Sequence, residues 1–179
     1  YGKLLVSKAY ASKVRWSIGS RPPATPPKEF DFNLWLGPAL AQAYHENIVH
    51  YNWHWFWDFG NGEIGNQGVH EMDKARWGLP DDALAKPIKV LTMGGRFAWN
   101  DPCETPNAHL TVFDYGDYQL IYEACNLTTT GDEKKGIPKT DLVSNPFVTE
   151  QGEITPGGFT PKVGKREPLP AVEVNMGAG

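Results

Sequence analysis

Residues 60–78 read GNGEIGNQGVHEMDKARWG, and the fold is decided by where the glycines stop and a helix starts. Gly60-Asn61-Gly62-Glu63-Ile64-Gly65 spells G-x-G-x-x-G. From Asn66 the pattern changes: Val69, Met72 and Trp77 fall at spacings that put them on one side of a helix over 66–77. Asn66 is the predicted N-cap, Gly78 ends the helix, and Pro80 prevents its resumption. His70 and Asp73 then lie one turn apart, near the start of that helix.

Upstream, residues 51–59 (YNWHWFWDF) crowd aromatic rings around one histidine, too short for a typical helix and too aromatic for a solvated loop. Asn33–Leu36 reads as a short helix halted by Gly37-Pro38, with a second turn expected at 39–44. Residues 19–30 carry four prolines and read as extended loop. Residues 2–18 alternate, with Val14, Trp16 and Ile18 on one side, and predict a long strand with one wet face. Downstream, 87–94 and 108–115 read as strands. Residues 117–125 return on 108–115 through a Gly116-Asp117 hairpin. From 128 to 179 the chain is loop-rich, with one more hairpin expected around 147–154. The expected fold is α+β: an open, mostly antiparallel sheet with a few short helices on one face.

The 179 residues suit one domain spanning 1–179 with a real core, and the formal net charge of -4 opposes a nucleic-acid partner. No apolar run approaches the roughly 20 residues of a membrane span. Cys103 and Cys125 read as separate reduced thiols, since a single pair makes no disulfide framework. Tyr1 enters mid-strand and the chain ends in Met176-Gly177-Ala178-Gly179. Both ends read as cuts in a longer protein.

Three chemistries suit residues 50–73. A dinucleotide loop needs a Val/Ile-rich strand before its glycines and an acidic residue ending the next strand. Trp53-His54-Trp55-Phe56-Trp57-Asp58 stands in place of the first, and Asp81 and Asp82 follow Gly-Leu-Pro in a loop. A metal site would draw on His50, His54, His70 and Asp73, but HYNWH does not read as helix and no H-E-x-x-H frame is present. A catalytic imidazole needs a bare approach and a substrate wall. Gly65 and Gly68 give the first, and Trp53, Trp55 and Trp57 the second.

Taken together, Asn66-Gln67-Gly68-Val69-His70-Glu71-Met72-Asp73, Trp35-Leu36-Gly37-Pro38-Ala39, Trp53–Gly62 and Arg76-Trp77-Gly78-Leu79 resemble the C-terminal domain of the Gfo/Idh/MocA oxidoreductases. The first of these is similar to the family's D-x-G-x-H-x-x-D signature. The resemblance covers residues 1–125 well and 126–179 more loosely. It implies an upstream Rossmann domain that holds NAD or NADP and carries an E-K-P lysine, and a further C-terminal helical segment. It implies His70 as acid/base with Asp73 after it. Asn66 stands where the signature has Asp, and an amide cannot take a proton at neutral pH.

The expectation is a substrate-binding domain of an NAD(P)-dependent dehydrogenase acting on a sugar, polyol or related hydroxy compound. Its catalytic residues are His70 and Asp73, its substrate contacts Asn66, Gln67 and Trp57, and no metal is expected. Residues 60–65 shape the pocket, and the isolated chain is expected to be inactive. A homo-oligomer through the open sheet is expected, with no membrane or nucleic-acid partner. The location, cytoplasmic or exported, is left open. Two alternatives stand beside it: a non-catalytic carbohydrate-binding or dimerisation module, and an enzyme that uses tightly held NAD for glycoside hydrolysis or elimination.

Overall fold

The computed structural model describes residues 1–80, 89–127 and 142–171. Asp81, Asp82, the first two residues of the strand expected at 87–94, and much of the loop-rich stretch lie outside the described residues.

The centre of the fold is β1 (Leu4–Ser12), which pairs parallel with β4 (Gln119–Cys125) and antiparallel with β5 (Leu142–Ser144) and β6 (Phe147–Thr149). On one side the sheet runs outward through β3 (Ala108–Asp114) to β2 (Lys89–Gly95). On the other, β7 (Gly152–Thr155) and β8 (Gly158–Pro161) extend it from β6. The eight described strands form one sheet in the order β2-β3-β4-β1-β6-β7-β8, with β5 sharing β1. All pairings but β1–β4 are antiparallel, so the sheet is open and mostly antiparallel. The hairpin through Gly116 forms as expected, with Tyr115 and Tyr118 bonded across it and Gly116 at φ 87. The hairpin at 147–154 also forms, and β8 adds a strand that the loop-rich composition conceals.

Helix α1 (Phe32–Leu36) is short; Asp31 caps it by accepting from Leu34 N at 2.9 Å, and Gly37 ends it at φ 56. Helix α2 (Glu63–Asn66) leads into α3 (Gly68–Trp77), which lies on β1 and β4. The approach is close because the facing residues are small. Ala9, Ala11 and Ala75 are fully buried, and Ser7 Oγ donates to the Ala75 carbonyl at 2.7 Å. Leu120, Tyr122 and Ala124 on β4 complete this core through the period-2 alternation of a strand. A second core gathers Ile48, Trp55, Phe56 and Cys103 beneath the loops. On the sheet's opposite face Leu91, Met93 and Leu110 stay exposed.

Three expectations are corrected. The first strand stops at Ser12 instead of running to residue 18. Beyond it the backbone turns to other partners: Arg15 N donates to the Asn126 carbonyl, and Asn126 Nδ2 donates to the Lys13 carbonyl at 3.0 Å. The helix of 66–77 is two helices, and Asn66 closes α2 instead of capping α3, because the turn at Gly62 (φ 70) lets the helical path start at Glu63, three residues before Asn66. The stretch 39–44 is not helical; Ala24 N bonds the Tyr44 carbonyl at 2.8 Å, which ties this stretch to the proline-rich loop.

Candidate functional site

The junction of α2 and α3 decides what reaches the surface. Gln67, between the helices, keeps helical dihedrals (φ -83, ψ -34), and Asn66 N and Glu71 N bond back to the Gly62 and Gln67 carbonyls. The helical path therefore carries on through the junction, and the i,i+4 pair Asn66 and His70 shares one side. Both line a cleft of about 450 Å³. Facing them are Tyr51, Trp53 and His54 from the 3-10 turn Asn52–Trp55 and the residue before it. Gly60, Asn61 and Gly62 close the remaining side. Among the described residues lining the cleft there is no Lys, Arg, Asp or Glu.

The glycine loop is a packing device. Gly60 N donates to the Phe56 carbonyl at 2.9 Å and Gly62 N to the His54 carbonyl at 2.7 Å. A Cβ on Gly62 would come within 2.6 Å of Thr105 Oγ1. A phosphate cradle needs backbone amides that are free to donate. These two are already used inside the fold, so the described residues do not fit the pyrophosphate of a dinucleotide.

Behind the cleft lies a polar cluster. Glu63 is 1% exposed and receives the Arg15 guanidinium on both oxygens, Nη2 on Oε1 at 3.2 Å and Nε on Oε2 at 3.3 Å. Asn66 Nδ2 donates to Glu63 Oε2 at 3.4 Å and to Tyr51 Oη at 3.3 Å. His54 is buried, with Nδ1 at 2.6 Å from the Tyr51 carbonyl. A carbonyl carries no proton, so Nδ1 donates and Nε2 is an acceptor in the neutral ring. Burial lowers the His54 pKa, against the opposing pull of that carbonyl and of Glu63, and among the described residues Nε2 has no hydrogen-bond partner. Cys103 is no rival centre: burial pushes its thiol up to about 12, far from a reactive thiolate.

The expected site residues divide. His70 and Asn66 meet in the cleft. Asp73, exposed and one turn or about 4.5 Å further along the helix, is not among the residues lining it. Gln67 is used elsewhere, accepting from Lys13 Nζ at 2.8 Å and donating to Glu71 Oε1 at 2.9 Å. Of the three tryptophans expected to form a wall, Trp53 does so. Trp55 is buried in the second core, and Trp57 is 58% exposed away from the cleft, with its backbone N bonded to Glu104. Among the described residues no three His, Cys, Asp or Glu side chains stand where they could hold a metal, and no helix is long and apolar enough to cross a membrane. Sequence reasoning does not reach Tyr51 or Arg15. The i,i+3 spacing of Glu63 and Asn66 is the signal that points to that pair.

The family model for the oxidoreductase family, C-terminal alpha/beta domain, of Gfo/Idh/MocA type, matches residues 3–118, and the chain belongs to this family. Among solved structures, the WlbA dehydrogenase from Chromobacterium violaceum, in complex with NADH and UDP-GlcNAcA, is 15% identical with a TM-score of 0.50; the match covers 89% of this chain and 36% of that one. The WlbA dehydrogenase from Bordetella pertussis, with the same ligands, is 16% identical with a TM-score of 0.49, covering 89% and 37%. The chain thus spans just over a third of each of these proteins, and at these identities the likeness is one of fold. No curated protein matches.

Proposed function

We propose that this domain binds the substrate of an NAD(P)-dependent dehydrogenase that oxidises or reduces a sugar, polyol or related hydroxy compound, with His70 as the acid/base. The observation that carries the proposal is the meeting of His70 and Asn66 in an aromatic-walled cleft whose described lining holds no Lys, Arg, Asp or Glu. Such a lining suits neutral hydroxyl groups and stacking of a sugar ring on Trp53. It lacks the Arg or Lys that a phosphate or carboxylate would call for.

In this reading the imidazole of His70 takes the hydroxyl proton when the carbon is oxidised and returns it in the reverse direction. Asn66 holds the same hydroxyl or its neighbour. The dinucleotide, NAD or NADP, supplies the redox chemistry and is assigned to chain outside residues 1–179, since the glycine loop is closed to it. A second copy of the domain is proposed to cover the open sheet face, where Leu91 and Met93 are 67% and 72% exposed. In the complete enzyme, His70→Ala is expected to cut turnover by roughly 10²- to 10⁴-fold with the fold intact. Turnover near that of the wild type would refute the assignment.

A further inference from the structure

The reading of this cleft as a substrate site leaves open how an amide at position 66 presents itself to a ligand. Asparagine has two faces, one donating and one accepting, and they exchange by a half-turn of the side chain. The structure contains what removes that ambiguity.

We infer that Glu63, held by Arg15, is a positioning residue that fixes the sense of the Asn66 amide, so that the cleft offers an acceptor, Asn66 Oδ1, and selects a substrate group that donates, a hydroxyl. Glu63 is buried and does not line the cleft; it acts through Asn66. Its carboxylate is gripped on both oxygens by the forked guanidinium at 3.2 and 3.3 Å, a pairing with strong directional preference. A carboxylate so paired presents only acceptors to its other neighbours. Turning Oδ1 of Asn66 toward it would set oxygen against oxygen, whereas Nδ2 at 3.4 Å donates. The second Nδ2 hydrogen is directed to Tyr51 Oη at 3.3 Å. Both amide hydrogens are thereby engaged, and Oδ1 is left on the other side. Among the described residues it has no hydrogen-bond partner, and it is not a fully buried atom. On a residue that lines the cleft, it stands as an open acceptor. The Tyr51 hydroxyl accepts from Asn66, and among the described residues its own proton has no acceptor and can turn to a ligand oxygen.

The inference rests on the cleft being the substrate site, and its test separates the two. The first measurement needs no ligand. In the ¹⁵N-labelled chain, the Asn66 side-chain amide hydrogens are expected to exchange with solvent at least about tenfold more slowly than those of Asn33, whose side chain is exposed. In Glu63→Gln, which offers a donor as well as an acceptor, that protection is expected to fall to the level of Asn33 while circular dichroism stays unchanged. Glu63→Asp keeps the carboxylate and is expected to retain part of the protection. Equal exchange of Asn66 and Asn33 in the wild-type chain overturns the positioning role, even if no variant folds. The second measurement uses glucose as a neutral hydroxyl probe, followed by the shift of the Asn66 amide resonances. A shift in the wild type, weakened about tenfold in apparent affinity by Glu63→Gln, supports the inference. An equal response in both overturns it. Protection of the Asn66 amide with no response to glucose or other neutral polyols leaves the positioning standing and counts against the hydroxyl-substrate reading.

Discussion

Asn66 Nδ2 lies 3.4 Å from Glu63 Oε2, one helical turn back along α2. In the resemblance read from the sequence, position 66 falls on an aspartate of the family signature, and this contact suits an amide there. A carboxylate here would face the buried carboxylate of Glu63. The acidic group of this site is set one turn deeper, neutralised by Arg15, and only the amide meets the cleft.

Asn66→Asp should therefore bring two carboxyl groups into contact, and one of them takes up a proton. Its pKa is raised in the folded state, so the folded protein binds more protons than the unfolded chain at intermediate pH. The stability deficit is then largest above neutrality and shrinks as the pH falls. We expect a loss of about 1–2 kcal/mol near neutral pH, measured by urea unfolding and compared with the same measurement near pH ~5. Equal deficits at both would contradict the contact.

Three histidines, His45, His54 and His109, are held neutral by burial, which lowers each pKa. Below the unfolded value the unfolded chain binds protons that the folded protein refuses. Stability is then present above about pH 6.5 and is lost as the pH falls from there. Asp101 acts lower down. Burial works against its carboxylate, but Arg96 at 2.6 Å, with Ile18 N and Ser17, outweighs burial and lowers its pKa. Its share of stability is lost only as the pH falls below the ordinary carboxylate range. A melting temperature that begins to drop below about pH 6.5 and drops further below about pH 4 is the expected profile. A flat melting temperature from neutrality to about pH 5 would remove the first group from the account.

The fold was legible where local pattern and tertiary demand agree. The β3–β4 hairpin announces itself by alternation on both sides of Gly116, and its register follows. The open, mostly antiparallel sheet follows from the succession of such strands. The parallel β1–β4 pair did not show, because nothing local distinguishes a parallel from an antiparallel neighbour. Val14, Trp16 and Ile18 alternate as a strand would, yet the chain leaves the sheet at Ser12, since side chains such as Asn126 supply the bonds that a ladder would have given. At the candidate site, helical spacing pairs His70 with Asp73, whereas Asn66 entered only through the family resemblance; in the fold it is Asn66, not Asp73, that shares the cleft with His70. Trp55 and Trp57 could not be told from Trp53, because the 3-10 turn Asn52–Trp55 sends Trp53 and Trp55 to different sides and the chain bends at Phe56 before Trp57. Arg15 was invisible, since its link to Glu63 crosses 48 residues of sequence.

The glycines of residues 60–68 are explained by packing, and Gly68 tests that account. A Cβ there would come within 2.6 Å of the Tyr122 ring carbon that bears the hydroxyl. Gly68→Ala should push α3 off the sheet and cost about 1–3 kcal/mol, measured by chemical denaturation. An unchanged or raised stability, as expected for an alanine in an open helix, would contradict the close approach.

Trp53 borders the cleft and Trp57 does not. In the complete enzyme, Trp53→Ala should raise KM for a hydroxylated substrate by about three- to tenfold, the scale of a lost ring contact. Trp57→Ala should leave KM within about twofold. The reverse ranking, from steady-state kinetics of the two variants, would place the sugar wall outside this cleft.

In the proposed function the His70 imidazole exchanges the substrate proton. The direct measurement is the pH dependence of kcat/KM in the complete enzyme, wild type against His70→Ala. The wild-type rate of alcohol oxidation is expected to fall about tenfold per pH unit on the acid side, as a protonated base fails. In the variant, with its much lower rate, that limb is expected to be absent. An acid limb that persists unchanged in His70→Ala would assign the proton transfer to another group.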